Sequence, residues 1–394
     1  MSDILSQGHD REPGPWRRRL VVLAVVAGLV AVVVITHLPR HQPARRARSH
    51  PAASTVVAGP NGITGPTLPW APSLRLPVAT EHPALLSPAA GRLELIGGLP
   101  PDRAGYQFTQ VGGGWAIQAA ATQPVPRAVC DTCAGAPQPV YFLSEHGHSA
   151  TPVAPADAVA PAATGRAMWL TTYPRGASLQ LAAGAAREVG ATGRLLRPAV
   201  RLPAGFMIIQ GTVRGLLLAP VVPGPGAVTD EFLDLSTRQV TTSPVPVIAA
   251  SATEIAGMMP CGTGPCRITV LNLDTDRSAQ VMLRPGTSVA SAAFSTDGSY
   301  LALQVNSAPG GADGGSGTDL EVLATATGSL ATVPDTSLSS DALVGYGWPP
   351  GSDRLVAELS FTTKVQLAAW LPGAAQPAVT VVRPGGGAGS IVTG

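Results

Sequence analysis

The sequence predicts an all-β fold: a β-propeller of six or seven four-stranded blades, preceded by one transmembrane α-helix. Three observations carry this. Residues 20–35 form one unbroken apolar run, extended to residue 38. After about residue 92 the chain breaks into short apolar runs punctuated by Gly, Pro and Asp. Those runs recur in groups of four every 40–50 residues, the signature of a ring of small sheets.

Composition sets the limits first. The 394 residues include 45 Gly and 39 Pro, which favour turns and short strands over long helices. Lys364 is the only lysine; the Arg, Ala, Gly and Pro excess is the codon bias of a high-GC genome. The formal charge of +2 conceals an asymmetry: residues 1–50 hold eight Arg against three acids, and the remainder holds 18 basic against 21 acidic side chains. Nucleic-acid binding requires clustered cations to neutralise several phosphates. The main domain lacks that surplus, so no nucleic acid is expected as a partner.

Leu20 to Ile35 reads LVVLAVVAGLVAVVVI and continues through Thr36, His37 and Leu38. As a helix, the 20–38 stretch reaches ~28 Å, close to the ~30 Å hydrocarbon thickness of a bilayer. Trp16 and Arg17–Arg19 flank one end, His37, Arg40 and His41 the other. A segment apolar all round has no neighbouring helix to cover it as a core element. A cleaved signal peptide would need a small-residue site directly after the run, and none follows. An uncleaved anchor is expected, with membrane association through residues 20–38. The flanking arginines are nearly balanced, so orientation rests on the short tail and on all four cysteines lying beyond the run. The expected layout is a cytoplasmic tail at 1–19, the anchor at 20–38, a Pro/Ala-rich stalk at 39–91, and a propeller outside the cytoplasm at 92–394.

Within the propeller, third strands fall near Phe142, Leu181, Leu233, Leu271, Leu323 and Leu367, spaced by 39, 52, 38, 52 and 44 residues. Each such unit is two strands, a loop, a strand ending in a tight turn, and a fourth strand. Six units emerge, and a strand at Arg92–Ile96 either closes the ring or belongs to a seventh. A β-sandwich with recurrent hairpins is the alternative.

Two segments sharpen the reading: Ala293-Phe294-Ser295-Thr296-Asp297-Gly298-Ser299-Tyr300-Leu301-Ala302, and Gly347-Trp348-Pro349-Pro350-Gly351-Ser352-Asp353-Arg354-Leu355-Val356-Ala357. They resemble the F/W-S-P-D-G-x-x-L-A hairpin of TolB-like and WD40-like propellers, with Thr296 in place of Pro and one extra residue in the second copy. The resemblance implies that Phe294 and Trp348 pack between blades and that Asp297-Gly298 makes the turn. Residues 202–238 are similar to blades of membrane-attached proteins from high-GC, actinobacterial-type bacteria. The resemblance covers 200–370; no Trp-Asp dipeptide occurs.

Cys130-Asp131-Thr132-Cys133 and Cys261-Gly262-Thr263-Gly264-Pro265-Cys266 place cysteines at close spacing in turn-rich loops. Two local structural disulfides at Cys130, Cys133, Cys261 and Cys266 are the leading expectation, each contributing ~2 kcal/mol in the chain-entropy model. A redox CxxC site would need a helix start to lower the thiol pKa. A single four-cysteine zinc site would have to join pairs about 130 residues apart. Glu145-His146-Gly147-His148 is a weak metal candidate against a polar turn. The Gly-rich stretch Ser307–Thr318 lacks the alternating Asp/Asn of a calcium loop.

No nucleophile elbow, Walker loop or dinucleotide fingerprint occurs. Asp230, Glu231, Glu254 and Glu321 could serve as acids, but nothing in the sequence pairs any two of them. No catalytic residue, metal or cofactor is assigned. The expected function is a binding or scaffold module for another envelope protein. The alternatives are a propeller enzyme of lyase, lactonase or glycosidase type, and a ligand-sensing ectodomain that signals through a partner.

Overall fold

A computed structural model describes residues 58–59, 62–63, 68–79, 82–101, 105–119, 134–221, 230–259, 264–307, 317–334, 338–339, 343–361, 364–382 and 390–391. The expected anchor at 20–38 and the tail before it lie outside these residues. All the described residues belong to one compact unit, Ser54–Gly394. Among them, no helix is long and apolar enough to cross a membrane.

Seven antiparallel sheets form a ring. Blade 1 comprises Tyr106–Val111, Gly114–Ala119, Val140–Ser144 and Thr151–Pro152; blade 2 comprises Ala158–Pro161, Ala167–Thr172, Ala183–Gly190 and Val200–Ala204. Blade 3 comprises Phe206–Thr212, Gly215–Pro220, Glu231–Leu233 and Val240–Thr242; blade 4 comprises Val247–Ala250, Glu254–Met258, Arg267–Asn272 and Ser278–Met282. Blade 5 comprises Thr287–Phe294, Tyr300–Ser307, Gly317–Ala324 and Ser329–Thr332, with Leu338–Ser339 added beside its third strand. Blade 6 comprises Leu343–Gly347, Leu355–Phe361, Lys364–Trp370 and Ala378–Val382.

Blade 7 closes the ring. Ser390–Ile391 pairs with Leu76–Ala79, followed by Ala84–Ser87 and Arg92–Leu95, so sequence-distant strands share one sheet. The strand expected near Arg92 is therefore the outer strand of a seventh blade. The boundary drawn at residue 92 is corrected: two strands within the expected stalk, Leu76–Ala79 and Ala84–Ser87, are part of the ring. Leu76, Val78, Leu85 and Leu86 are buried there, and that burial is what a Pro-rich stretch read on its own does not reveal.

A second correction concerns blade 2. Its third strand is Ala183–Gly190, not a strand centred near Leu181. Leu181 stands in a turn at 81% exposure. Gly184 explains the choice: a Cβ there would meet the Tyr173 ring at 2.9 Å, so this strand needs a residue without a side chain.

Side chains alternate across each strand, and each blade buries its faces against its two neighbours. One apolar cluster fills every junction, from Met168 and Phe142 between blades 1 and 2 to Trp115 and Leu85 between blades 7 and 1. Trp348 lies buried between blades 5 and 6, stacked on Tyr300 with ring centroids 5.8 Å apart. Phe294 packs between blades 4 and 5. Gly298, at φ +76°, takes the left-handed corner of the Asp297-Gly298 turn, where a side chain would be strained. The turn is locked by Ser295 Oγ, which donates to Asp297 Oδ1 at 2.7 Å and accepts from the Tyr300 amide at 2.9 Å.

First strands contact one another between blades 1 and 2, 2 and 3, and 4 and 5, and so line the axis. One face of the ring, the hairpin face, carries the turns that join first to second and third to fourth strands. The opposite face, the loop face, carries the remaining connections.

Candidate functional site

The hairpin face opens at the axis into a cavity of about 350 Å³. Its wall comes from the ends of the first strands and the turns that follow: Gln110 in blade 1, Pro161 to Gly165 in blade 2, Gln210 in blade 3, Ala249 to Ala252 in blade 4, and Ala292 to Thr296 in blade 5. The sequence places small residues where first strands converge, because a narrow axis has no room for bulk. Gly112 marks the tightest approach: a Cβ on it would lie 1.9 Å from the Gly165 carbonyl oxygen.

The polar groups of this mouth are amides and hydroxyls. Gln110 Nε2 donates to Thr296 Oγ1 at 3.0 Å, from blade 1 to blade 5. Gln210 is buried and donates to the Gly211 carbonyl at 2.9 Å. Further along the axis, the Ser291 hydroxyl donates to Gln304 Oε1 and stands 2.9 Å from the Tyr346 hydroxyl. Burial pushes the Tyr346 phenol up to about 12.

A second cavity of about 650 Å³ shares Ala163 and Thr164 with the mouth and runs out between blades 2 and 3. Its charges are spoken for. Glu188 accepts from Arg197 at 2.8 Å, and Arg214 reaches Asp276 of blade 4 at 2.6 Å. Asp234 Oδ1 accepts from the Ser236 amide, the Ser236 hydroxyl and the Thr237 amide, which hold its carboxyl below the usual range. Asn272 repeats that turn in blade 4, accepting from Asp274 and Thr275.

The acids named from sequence do not converge. Asp230 accepts from the Val247 amide at 2.9 Å, a tie between blades 3 and 4; burial raises its carboxyl above the usual range, as it does for Glu231. Glu254 sits at the start of a blade 4 strand on the hairpin face. Burial raises it too, opposed by hydrogen bonds from Asn272 and Thr325. Glu321 does gain a neighbour, Asp319, but both carboxylates grip one guanidinium, Arg284, at 2.9 and 2.6 Å. That triad was not legible in sequence, because Arg284 follows blade 4 while the acids lie in blade 5.

The two histidines of the 145–148 turn face different acids: His148 Nδ1 lies 3.0 Å from Glu94 and His146 Nε2 3.6 Å from Glu145. Among the described residues no three His, Cys, Asp or Glu side chains gather as a metal site. Cys266 is buried and disulfide-bonded; Cys130, Cys133 and Cys261 lie outside the described residues, and the pairing with them. Most of the Gly-rich stretch after Ser307 also lies outside. Its base is joined by Thr318 Oγ1 donating to Asn306 Oδ1 at 2.9 Å.

No protein-family model matches the chain, and no curated protein matches it. Among solved structures, it is similar to TolB from Acinetobacter baumannii, at 14% identity over 70% of this chain and 80% of that one, with a TM-score of 0.39. It is also similar to the propeller domain of the trilobed protease from Pyrococcus furiosus, at 8% identity over 76% and 86%, TM-score 0.45. A third is hydrazine synthase of Kuenenia stuttgartiensis, at 12% identity over 66% and 75%, TM-score 0.41. Such distant likenesses have no bearing on activity.

Proposed function

We propose that this chain is a membrane-anchored, extracytoplasmic propeller that binds another envelope protein and serves as a scaffold rather than a catalyst. The observation that carries the reading is the chemistry of the axial mouth. Its wall offers Gln110, Gln210, Ser295 and Thr296 among small apolar residues, with no acid, histidine or cysteine among the described lining residues. Amides and hydroxyls in a shallow apolar ring suit a polypeptide recognised by shape and neutral hydrogen bonds. Catalysis by acids at the axis would call for converging carboxylates; the two that do converge, Asp319 and Glu321, are held by Arg284.

The apolar run at 20–38 and its Arg and Trp flanks support the anchor, with the tail before it cytoplasmic. The test is a crosslinked pull-down of the full-length protein from native membranes, read by mass spectrometry. A partner recovered in near-equal amount, and lost when residues 68–394 are removed, supports the scaffold. The full-length protein coming down alone contradicts it.

A further inference from the structure

The corner of blades 2 and 3 on the hairpin face displays a second pattern that the axial mouth does not use. The turn between the third and fourth strands of blade 2 reads Arg194-Leu195-Leu196-Arg197, and all four residues are exposed. Leu195 and Leu196 are 55% and 49% exposed, and Val213, in the adjoining turn of blade 3, is 44% exposed. The Arg166 carbonyl accepts from the Ala191 amide, the Arg194 carbonyl accepts from the Gly190 amide, and Val189 bridges to Leu195. Those contacts hold the projecting turn against the end of its blade. Arg197, Val213 and Arg214 meet around one groove. Clustered aliphatics rimmed by arginines make the kind of exposed patch that marks an interaction site, here one suited to an apolar surface with an anionic rim.

Charge points the same way. Arg166, Arg194, Arg197, Arg214, Arg238 and Arg277 stand here against four carboxylates in the same turns, Glu188, Asp234, Asp274 and Asp276. Arg197 and Arg214 are paired, whereas Arg166, Arg194 and Arg238 join no ion pair among the described residues. The chain itself joins the ring on this face. Residues 68–75 lead into Leu76–Ala79 at the place where the other blades carry their first-to-second hairpin. That entry is tied down by Arg354 Nη1 donating to the Pro69 carbonyl at 3.2 Å and by the Leu68 amide donating to Pro377.

We infer that this corner rests on an anionic lipid surface, with Leu195, Leu196 and Val213 entering the headgroup boundary and Arg166, Arg194 and Arg238 meeting lipid phosphates. The inference rests on the membrane location proposed above. It goes further in naming the corner of the ring that meets the bilayer, an edge contact at blades 2 and 3 that leaves the axial mouth open to a partner.

The test uses residues 54–394, whose seven sheets close on themselves. They are sedimented with vesicles of phosphatidylcholine alone and of phosphatidylcholine with about one-third phosphatidylglycerol. Binding is expected only to the anionic vesicles, falling as salt rises. Arg166→Glu with Arg194→Glu is expected to weaken it about tenfold or more, and so is Leu195→Asp with Leu196→Asp. Leu181→Asp is the control, removing a still more exposed leucine from the loop face of the same blade, and it should leave binding unchanged. Equal sedimentation with both vesicle types overturns the inference, and so does equal weakening by Leu181→Asp. Indifference to both double variants overturns it as well, and would leave the corner to a polypeptide partner. The anchor is judged separately, by whether the full-length chain stays with membranes through an alkaline carbonate wash, so failure of one reading is not mistaken for failure of the other.

Discussion

Gln110 and Thr296 face each other across the axial mouth, the amide of blade 1 donating to the hydroxyl of blade 5 at 3.0 Å. In a ring of seven these blades are not neighbours, so the bond spans the opening instead of joining a blade to the next one. Being exposed, it adds at most about 1 kcal/mol to stability. Gln110→Ala should therefore leave the thermal midpoint within about 4 °C of the parent. Partner recovery in the membrane pull-down should fall, since the variant alters the wall that the partner reads. A melt and a pull-down on the same preparation check both halves.

Trp348 is the heaviest single investment in ring closure between blades 5 and 6. It is 1% exposed, stacks on Tyr300, and donates from Nε1 to the Ala293 carbonyl at 3.2 Å. Trp348→Ala should cost about 3–5 kcal/mol, combining lost transfer energy with a cavity. Trp348→Phe keeps most of the packing and removes one hydrogen bond, so it should cost less, about 1–3 kcal/mol. Urea unfolding of the two variants beside the parent gives the ranking.

Ring closure has a defined weak point at Val78↔Ile391 and Ala79↔Ser390, the pairing that joins the two ends of the ring in blade 7. Deleting residues 390–394 removes the innermost strand of that blade. The expected result is a loss of about 1–3 kcal/mol and faster amide exchange at 76–79, with exchange in blade 3 unaltered. Exchange read by mass spectrometry locates the effect.

Alkaline stability follows from two phenols. Burial lifts Tyr346 to about 12, and burial with the nearby Asp157 charge lifts Tyr173 to about 12. Both stay protonated in the folded state after the unfolded chain begins to ionise near 10. Their contribution is intact below pH 10 and is lost as pH rises toward 12. Unfolding free energy should fall across that window, and Tyr346→Phe should make the fall shallower.

On the acid side Glu254 carries the same sign. Burial raises its carboxyl above 4.5, so ionisation weighs against the folded state at neutral pH. Its contribution is full below pH 4.5 and lost as pH rises through the raised value. Glu254→Gln should therefore flatten the decline in stability between mildly acidic and neutral pH, as equilibrium unfolding at a series of pH values would show.

Local chemistry explains what could be read in advance. Ala293–Ala302 announces its hairpin because the Asp297-Gly298 turn, the aromatic before it and the Leu301-Ala302 pair after it all lie within ten residues. The third strand of blade 2 was hidden for the opposite reason: Ala183–Gly190 is poor in β-branched residues, because Gly184 must slip under Tyr173, whereas the alternating Leu179 and Leu181 beside it imitate a strand. Of blade 7 only the outer strand near Arg92 was legible, because Pro77 interrupts its second strand and its first strand comes from residues 390–391. The mouth itself is built from Gln110, Gln210 and Thr296, which carry no motif and acquire meaning only when the first strands converge.

The central claim, a protein partner seated at the axial mouth, is tested most directly by a photo-crosslinking amino acid placed at Thr296 of the full-length chain in native membranes. The same probe at Leu181, on the loop face, serves as reference. The account predicts one dominant protein adduct at position 296 and little or none at 181. No adduct at 296, or the same adducts at both positions, would contradict it.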